Sequence, residues 1–259
     1  MKYFYECDFN LVISEICLMS SVSLMILGFA EVKGKHLLKY SKFWKGNTKQ
    51  MKLSSRNGML LAYTPAFLAG FASFFLFFDE GVRFFLLRSA LTIHFFKRIF
   101  EVVFVHKYSG GMDVDSAVTI GLCYLIATGT MIYSQHLTQV EGYGQPHIDL
   151  SYLGTVLFLI GISGNLYHHF LLSKLRSKED KQYKVPKGGL FELIICPHYM
   201  FEIIEFWGVA FISQTLYSIA FPVGSTLYLI GRSYATRRWY LSKFEDFPPN
   251  LKAIIPFVF

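Results

Sequence analysis

A helix-length apolar stretch, Leu190 to Leu216, contains three carboxylates and a histidine: Glu192, His198, Glu202 and Glu205. Each ionisable side chain costs about 3 kcal/mol at bilayer depth, so such groups turn toward a bundle interior or a wet cavity. The stretch is therefore a candidate site. Pro197 suits a first helical position, and beyond it His198, Glu202 and Glu205 recur at the four- and three-residue spacing of one helix face. A stripe of this kind serves either a buried site or a structural hydrogen-bond network, and the residues alone leave both open.

Two other apolar stretches repeat the pattern. His94, Lys97, Arg98 and Glu101 occupy neighbouring turns of Gly81 to Val105, with Lys97 or Arg98 spaced to pair with Glu101. Asn165, His169, Ser173 and Arg176 share a face that runs from the middle of the next polar-striped stretch to its end. Donors and cations leading to a cytosolic rim can accept an anionic, polyphosphate-bearing molecule. Internal ion pairing is the alternative for the first of these stripes. His168-His169 has no carboxylate at ligand spacing, so no metal is expected. Gly161-Ile162-Ser163-Gly164 lies inside an apolar run and suits close helix packing; nucleophile-elbow, Walker and HExxH motifs are absent.

The elements that must hold these stripes are read from the apolar runs. The 259 residues are 53% hydrophobic and 18% aromatic, which is not a soluble composition. Runs near the length needed for about 30 Å of hydrocarbon fall at Leu11 to Ala30, Gly58 to Phe78, Gly81 to Val105, Ser116 to Gln135, Leu150 to Leu172 and Leu190 to Leu216, with a shorter seventh at Tyr217 to Gly231. The expectation is an all-α, polytopic membrane protein of about seven transmembrane helices, forming a single membrane domain over 1–259. The first run follows Cys7 and Asp8 and contains Glu15, so it reads as a first span and not as a cleavable signal.

Loop charge sets the orientation. Glu31 to Asn57, Ser173 to Gly189 and Arg232 to Phe259 are basic and fall on one side of seven spans, whereas Asp79-Glu80 and the loop with Glu141 and Asp149 hold no Lys or Arg. Basic loops stay cytoplasmic, which puts the N-terminus on the lumenal side and the C-terminus in the cytosol. The net charge of +7 has this origin, together with attraction to anionic membrane lipid, and no nucleic-acid partner is expected. Cys7, Cys17, Cys123 and Cys196 show no CxxC spacing and indicate neither a disulfide framework nor a thiolate metal site.

Val185-Pro186-Lys187-Gly188-Gly189-Leu190-Phe191-Glu192, followed by Cys196-Pro197-His198-Tyr199 and Glu202, resembles the steroid 5α-reductase superfamily. The ending, Trp239 to Pro248 and then Ile254-Ile255-Pro256-Phe257, is similar to that family's C-terminal signature. The likeness covers a cofactor-binding region over 148–259 and, more weakly, the third span. It implies a seven-helical reductase of the endoplasmic reticulum membrane that uses NADPH to saturate a carbon-carbon double bond conjugated to a carbonyl. Carried over by motif, NADPH would be held by Asn165, His169, Arg176, Tyr183, His198, Glu202, Arg237 and Tyr240. His169 stands where steroid reductases have aspartate, and His198 where they have asparagine.

The substrate end departs further. The family's His-Tyr-Phe-His-Arg motif reads His94-Phe95-Phe96-Lys97-Arg98, so the phenolic donor is missing at Phe95, and Tyr63 replaces a glutamate before Pro65. The third span also looks like very-long-chain trans-2-enoyl-CoA reductases, which have a tyrosine where Tyr199 stands. Enone reduction needs a donor at the developing enolate oxygen, and Tyr63, Lys97 and Tyr199 are the catalytic candidates, Tyr63 and Lys97 foremost. The expected partner is a lipophilic small molecule, with a 3-oxo-Δ4-steroid as first substrate class and a trans-2-enoyl-CoA of fatty-acid elongation as alternative. A non-catalytic membrane scaffold is the third reading, motivated by Phe95.

Overall fold

The computed structural model describes residues 11–44, 51–78, 81–108, 110–142, 145–175 and 182–258. Seven long helices dominate it: α1 (Leu11–Val32), α2 (Ser55–Leu76), α3 (Gly81–Phe100), α4 (Val114–Val140), α5 (Ser151–Lys174), α6 (Pro197–Ser213) and α7 (Leu216–Lys243). Two short strands, β1 (Lys52–Ser54) and β2 (Gly111–Asp113), pair antiparallel with Leu53 opposite Met112, tying together the chain just before α2 and α4.

Four helices, α1, α2, α4 and α5, are long and apolar enough to cross a membrane by length and composition. They present large apolar side chains outward, among them Leu18, Phe75, Leu122 and Leu159, as a lipid-facing surface requires. The other three runs that the sequence counts as spans differ from these. Helix α3 carries Arg83, Arg88, Lys97 and Arg98; α6 has 17 residues and holds Glu202 and Glu205; α7 carries Arg232, Arg237 and Arg238. Their buried members, Lys97, Glu202, Glu205 and Arg232, face neighbouring helices instead of the exterior.

Two boundaries move from the sequence expectation. Leu190 to Leu216 is not one helix: Gly188 and Gly189 both take positive φ, a short 3-10 turn covers Gly189–Glu192, and α6 starts only at Pro197. Glu192 thus lies outside the helix that carries the stripe, and its carboxylate accepts the Gly188 N–H at 2.8 Å on the surface. The intervening strand-like residues are held by the C-terminal tail, with Ile195 N–H donating to the Lys252 carbonyl at 2.9 Å and Cys196 N–H to that of Ala253 at 3.1 Å. The last helix, in turn, runs past Gly231 to Lys243 and absorbs residues read as a cytosolic segment.

Helices α5 and α6 form the most extensive pair, followed by α1 with α7 and α2 with α4, while α3 wedges against α2 and α6. The α5–α6 contact depends on missing side chains. A Cβ at Gly161 would lie 2.5 Å from the Glu205 backbone nitrogen, and one at Gly208 would lie 2.5 Å from that of Phe158. Backbones approach this closely only across glycine.

At the other pair, Arg232 of α7 is buried and its guanidinium donates to the Glu31 carboxylate at 2.5 Å. It also lies over the rings of Tyr40 and Phe43, at 4.3 Å and 4.1 Å from their centroids. The segment 33–44 is thereby strapped across the bundle end. Tyr40 completes the fastening through a 3.0 Å hydroxyl contact with Tyr228 of α7.

Gly161→Val is expected to push α5 from α6 and destabilise the protein by about 2–3 kcal/mol, the cost of overpacking. Thermal unfolding of detergent-solubilised protein tests this, with Gly129→Ala, where nothing lies within 4 Å of the added Cβ, as the variant that does not lower the midpoint.

Candidate active site

Two cavities meet at the end of the bundle that the strap covers. The outer, of about 220 Å³, is walled by the strap, the C-terminal ends of α3, α5 and α7 and the start of α6, and its lining includes Lys42, Lys107, Lys184 and Arg232. The inner, of about 110 Å³, is apolar on most sides, with Leu24, Leu27, Ile120, Phe206, Phe221 and Leu229 in its wall. Tyr40, Met59, Arg98 and Tyr199 line both.

Arg98 is the group at this junction. One nitrogen, Nη1, donates to Glu101 Oε2 at 2.6 Å, and Nη2 donates to the Tyr63 hydroxyl oxygen at 2.6 Å. His169 Nδ1 stands 3.0 Å from Arg98 Nη1 and also 3.0 Å from Glu101 Oε1. If Nδ1 carries a proton it donates to the carboxylate; if not, it accepts from the guanidinium. Glu101 is fully enclosed and opens a π-helical turn, Glu101–Val105, at the end of α3. Such wide turns concentrate at functional sites. The turn leads to His106, whose imidazole burial holds well below the ordinary histidine range, with the neighbouring His169 acting in the same direction.

Behind Arg98, Lys97 donates to the Asn165 side-chain oxygen and stands 3.7 Å from Glu101 Oε1. Asn165 passes the connection on, its amide donating to the His198 carbonyl at 2.8 Å. Deeper in the bundle, His94 Nδ1 lies 2.7 Å from Glu205 Oε1, joining α3 to α6. The charges are therefore arranged in opposed sets, as buried charges must be.

The residues expected from the sequence distribute as follows. Tyr63 and Glu202 line the inner cavity; His169, Tyr183, His198 and Tyr240 line the outer; Tyr199 lines both. Lys97 and Asn165 line neither, and they form the layer behind the wall. Arg176 lies outside the described residues. Arg237 turns away, its guanidinium donating to the Leu251 and Pro249 carbonyls at 2.6 Å and 2.7 Å and so fastening the C-terminal tail. Phe95 is buried beneath the inner cavity without forming part of its wall.

Several residues at the site were not singled out as site members from the sequence: Arg98, whose pairing with Glu101 was legible but whose contact with Tyr63 was not, and Tyr40, Tyr124 and Arg232. Glu101, His106 and His169 place potential metal-ligand atoms within 4.8 Å of one another. Arg98 already occupies two members of that group, and Lys97 faces the same carboxylate.

The outer cavity offers a cationic mouth and a histidine-lined wall, the inner an apolar chamber with a guanidinium-backed phenol at its neck. The arrangement can hold an anionic ligand against an apolar one. The family model described as 3-oxo-5-alpha-steroid 4-dehydrogenase matches residues 114–259, beginning at the start of α4 and so upstream of the boundary expected near Ile148. The chain is 31% identical over 175 residues to 3-oxo-5-alpha-steroid 4-dehydrogenase 1 of Rattus norvegicus, covering 66% of either protein. It is 39% identical over 107 residues to steroid 5-alpha-reductase DET2 of Gossypium hirsutum, with 41% of this chain and 42% of that protein covered. For 3-oxo-5-alpha-steroid 4-dehydrogenase 1 of Homo sapiens the identity is 34% over 145 residues, covering 55% of this chain and 56% of the human protein. The chain thus aligns with just under two thirds of the rat protein and with smaller shares of the other two. It belongs to the 3-oxo-5-alpha-steroid 4-dehydrogenase family, within the steroid 5α-reductase superfamily.

Proposed function

We propose that this protein reduces a carbon-carbon double bond conjugated to a carbonyl, using NADPH, with a 3-oxo-Δ4-steroid as the substrate class. The observation that carries the reading is the junction of a cation-lined cavity with an apolar one at the Arg98–Tyr63 contact. The relatives' names supply the substrate class. One membrane domain over 1–259, with the cofactor held by the region 148–259, fits this arrangement. So do seven crossings of the endoplasmic reticulum membrane with a lumenal N-terminus and a cytosolic C-terminus, since Lys42, Lys107, Lys184 and Arg232 gather at a single end.

The outer cavity fits NADPH on the chemistry of its wall. His198 Nδ1 is a buried nitrogen with no hydrogen-bond partner among the described residues, a group suited to an amide. Lys42 and Lys184 supply positive charge for phosphates, Arg232 being paired with Glu31, and Tyr183 and Tyr240 supply aromatic surface. Of the rest of the set assigned by motif, His169 lines the same wall with Asn165 behind it, Glu202 lies across the junction in the inner cavity, Arg237 fastens the C-terminal tail and Arg176 lies outside the described residues. When bound, NADPH supplies a hydride to the β-carbon of the enone.

The remaining steps belong to the chain. Tyr63 accepts from Arg98, which leaves its own O–H proton for the carbonyl oxygen of a molecule in the inner cavity. As negative charge grows on that oxygen, the phenol donates more strongly, and the guanidinium stabilises the charge it takes on. Tyr199, lining both cavities, stands at the boundary where hydride and proton must be delivered. Lys97 acts through Asn165 and Glu101 as a positioning residue. The apolar walls keep water from the reacting carbons.

A trans-2-enoyl-CoA is the second reading, favoured by one feature. A surface groove containing His36, Lys42 and Arg238 adjoins the outer cavity through Lys42 and Phe43, and it offers further cations for a coenzyme A diphosphate.

Purified protein in detergent or lipid is expected to oxidise NADPH with a 3-oxo-Δ4-steroid and not with a long trans-2-enoyl-CoA. Faster turnover of the enoyl-CoA would exchange the two readings, and no turnover with either would leave the scaffold. Tyr63→Phe should lower kcat by about 10²-fold, the loss typical of a missing oxyanion donor, while leaving NADPH affinity intact. Glu202→Gln should weaken NADPH binding, read by fluorescence titration; an unchanged affinity removes Glu202 from the cofactor's surroundings.

A further inference from the structure

Reduction of an enone sends negative charge to the carbonyl oxygen, so an otherwise apolar chamber must hold that oxygen with donors fixed in advance. Five tyrosines line the inner cavity: Tyr40, Tyr63, Tyr124, Tyr199 and Tyr228. Their hydroxyls are not equivalent. Tyr40 and Tyr228 are joined to each other at 3.0 Å. Tyr63 receives the Arg98 N–H. Tyr199, on α6, makes no side-chain hydrogen bond among the described residues, and it also borders the outer cavity assigned above to NADPH.

Tyr124, on α4, borders the inner cavity and not the outer. Its hydroxyl likewise makes no hydrogen bond among the described residues, and Glu202 and Arg98 line the same cavity. Its ring is held on several sides. It stands edge-on to Phe95 at 5.2 Å between centroids, tilted against Tyr63 at 5.7 Å and tilted against Phe221 at 6.2 Å. A phenol fixed in position, facing an apolar cavity with its hydroxyl unpaired, forgoes the hydrogen bond it would make in water. A ligand oxygen would restore that bond.

We propose that Tyr124 is a second hydrogen-bond donor to the substrate carbonyl, so that the oxygen of a lipophilic enone is held between the hydroxyls of Tyr63 and Tyr124. The proposal rests on the reductase reading above and adds to it the residue that completes the oxygen's surroundings. It also accounts for Phe95. Packed beneath both phenol rings and outside the cavity wall, that side chain contributes the support that fixes them and no donor of its own. The two phenols come from α2 and α4, which pack against each other. Their spacing is therefore set by a helix pair and not by a loop.

The test uses the full-length protein with Tyr124→Phe, which keeps the ring and its three aromatic neighbours. Turnover of a 3-oxo-Δ4-steroid is expected to fall about 10²-fold in kcat, with KM for NADPH unchanged. The carbonyl stretch of the isotope-labelled steroid, bound with NADP⁺ and read by difference infrared spectroscopy, is expected to move up toward its value in an apolar solvent. A packing role would not produce that frequency shift. Wild-type turnover and carbonyl frequency retained in Tyr124→Phe would overturn the proposal while leaving the reductase reading in place. Wild-type protein that neither reduces the steroid nor shows a bound carbonyl band would overturn both.

Discussion

A carboxylate with no exposure to solvent, Glu101, governs the arrangement of this bundle. Enclosing one charge among helices is costly unless opposite charge and hydrogen bonds surround it. Arg98 and Lys97 come from its own helix, and His169 reaches it from α5. Once Arg98 is committed to Glu101, its other nitrogen is aimed at Tyr63 on α2. The neck between the two cavities is thus a by-product of neutralising Glu101. The same requirement turns Lys97 and Arg98 inward, at the level where α2, α5 and α6 converge on α3. Arg83 and Arg88, at the other end of α3, donate to the Ile212 and Phe77 carbonyls.

The second constraint is the close approach of α5 and α6. Gly161 and Gly208 let the backbones touch, which brings Glu205 against α3, where His94 meets it, and holds Asn165 to the His198 carbonyl. Here the polar contacts depend on the apolar ones. A side chain in place of either glycine would separate donors from acceptors that the bilayer interior has no water to replace.

Much of this was legible in the sequence because helical periodicity is a local property. His198, Glu202 and Glu205 read as one face, and Pro197 as the first residue of a helix; both hold in the structure. Helix α6 nevertheless hands its stripe to different neighbours, with His198 lining the outer cavity, Glu202 the inner and Glu205 facing His94. No spacing along one helix encodes that division. Arg232 was hidden for a similar reason. It sits in a basic stretch that loop statistics assign to solvent, whereas its partner Glu31 lies 201 residues away, and only the packing of α1 on α7 brings them together. Tyr124 gave no signal at all, since an aromatic residue among apolar ones looks like core until the cavity beside it is known.

The shared wall of the two cavities has a thermodynamic consequence. Tyr40, Met59, Arg98 and Tyr199 border both spaces, so a ligand that shifts any of them on one side changes the shape met by a ligand on the other. Linkage then makes the effect mutual: whatever factor the first ligand imposes on the affinity of the second, the second returns to the first. Tyr40 belongs to the strap, which Arg232 and Glu31 fasten to α7, so the energy of that buried ion pair enters the same cycle. The strap is in this sense a third participant in every binding event at the site, although it need touch neither reacting atom.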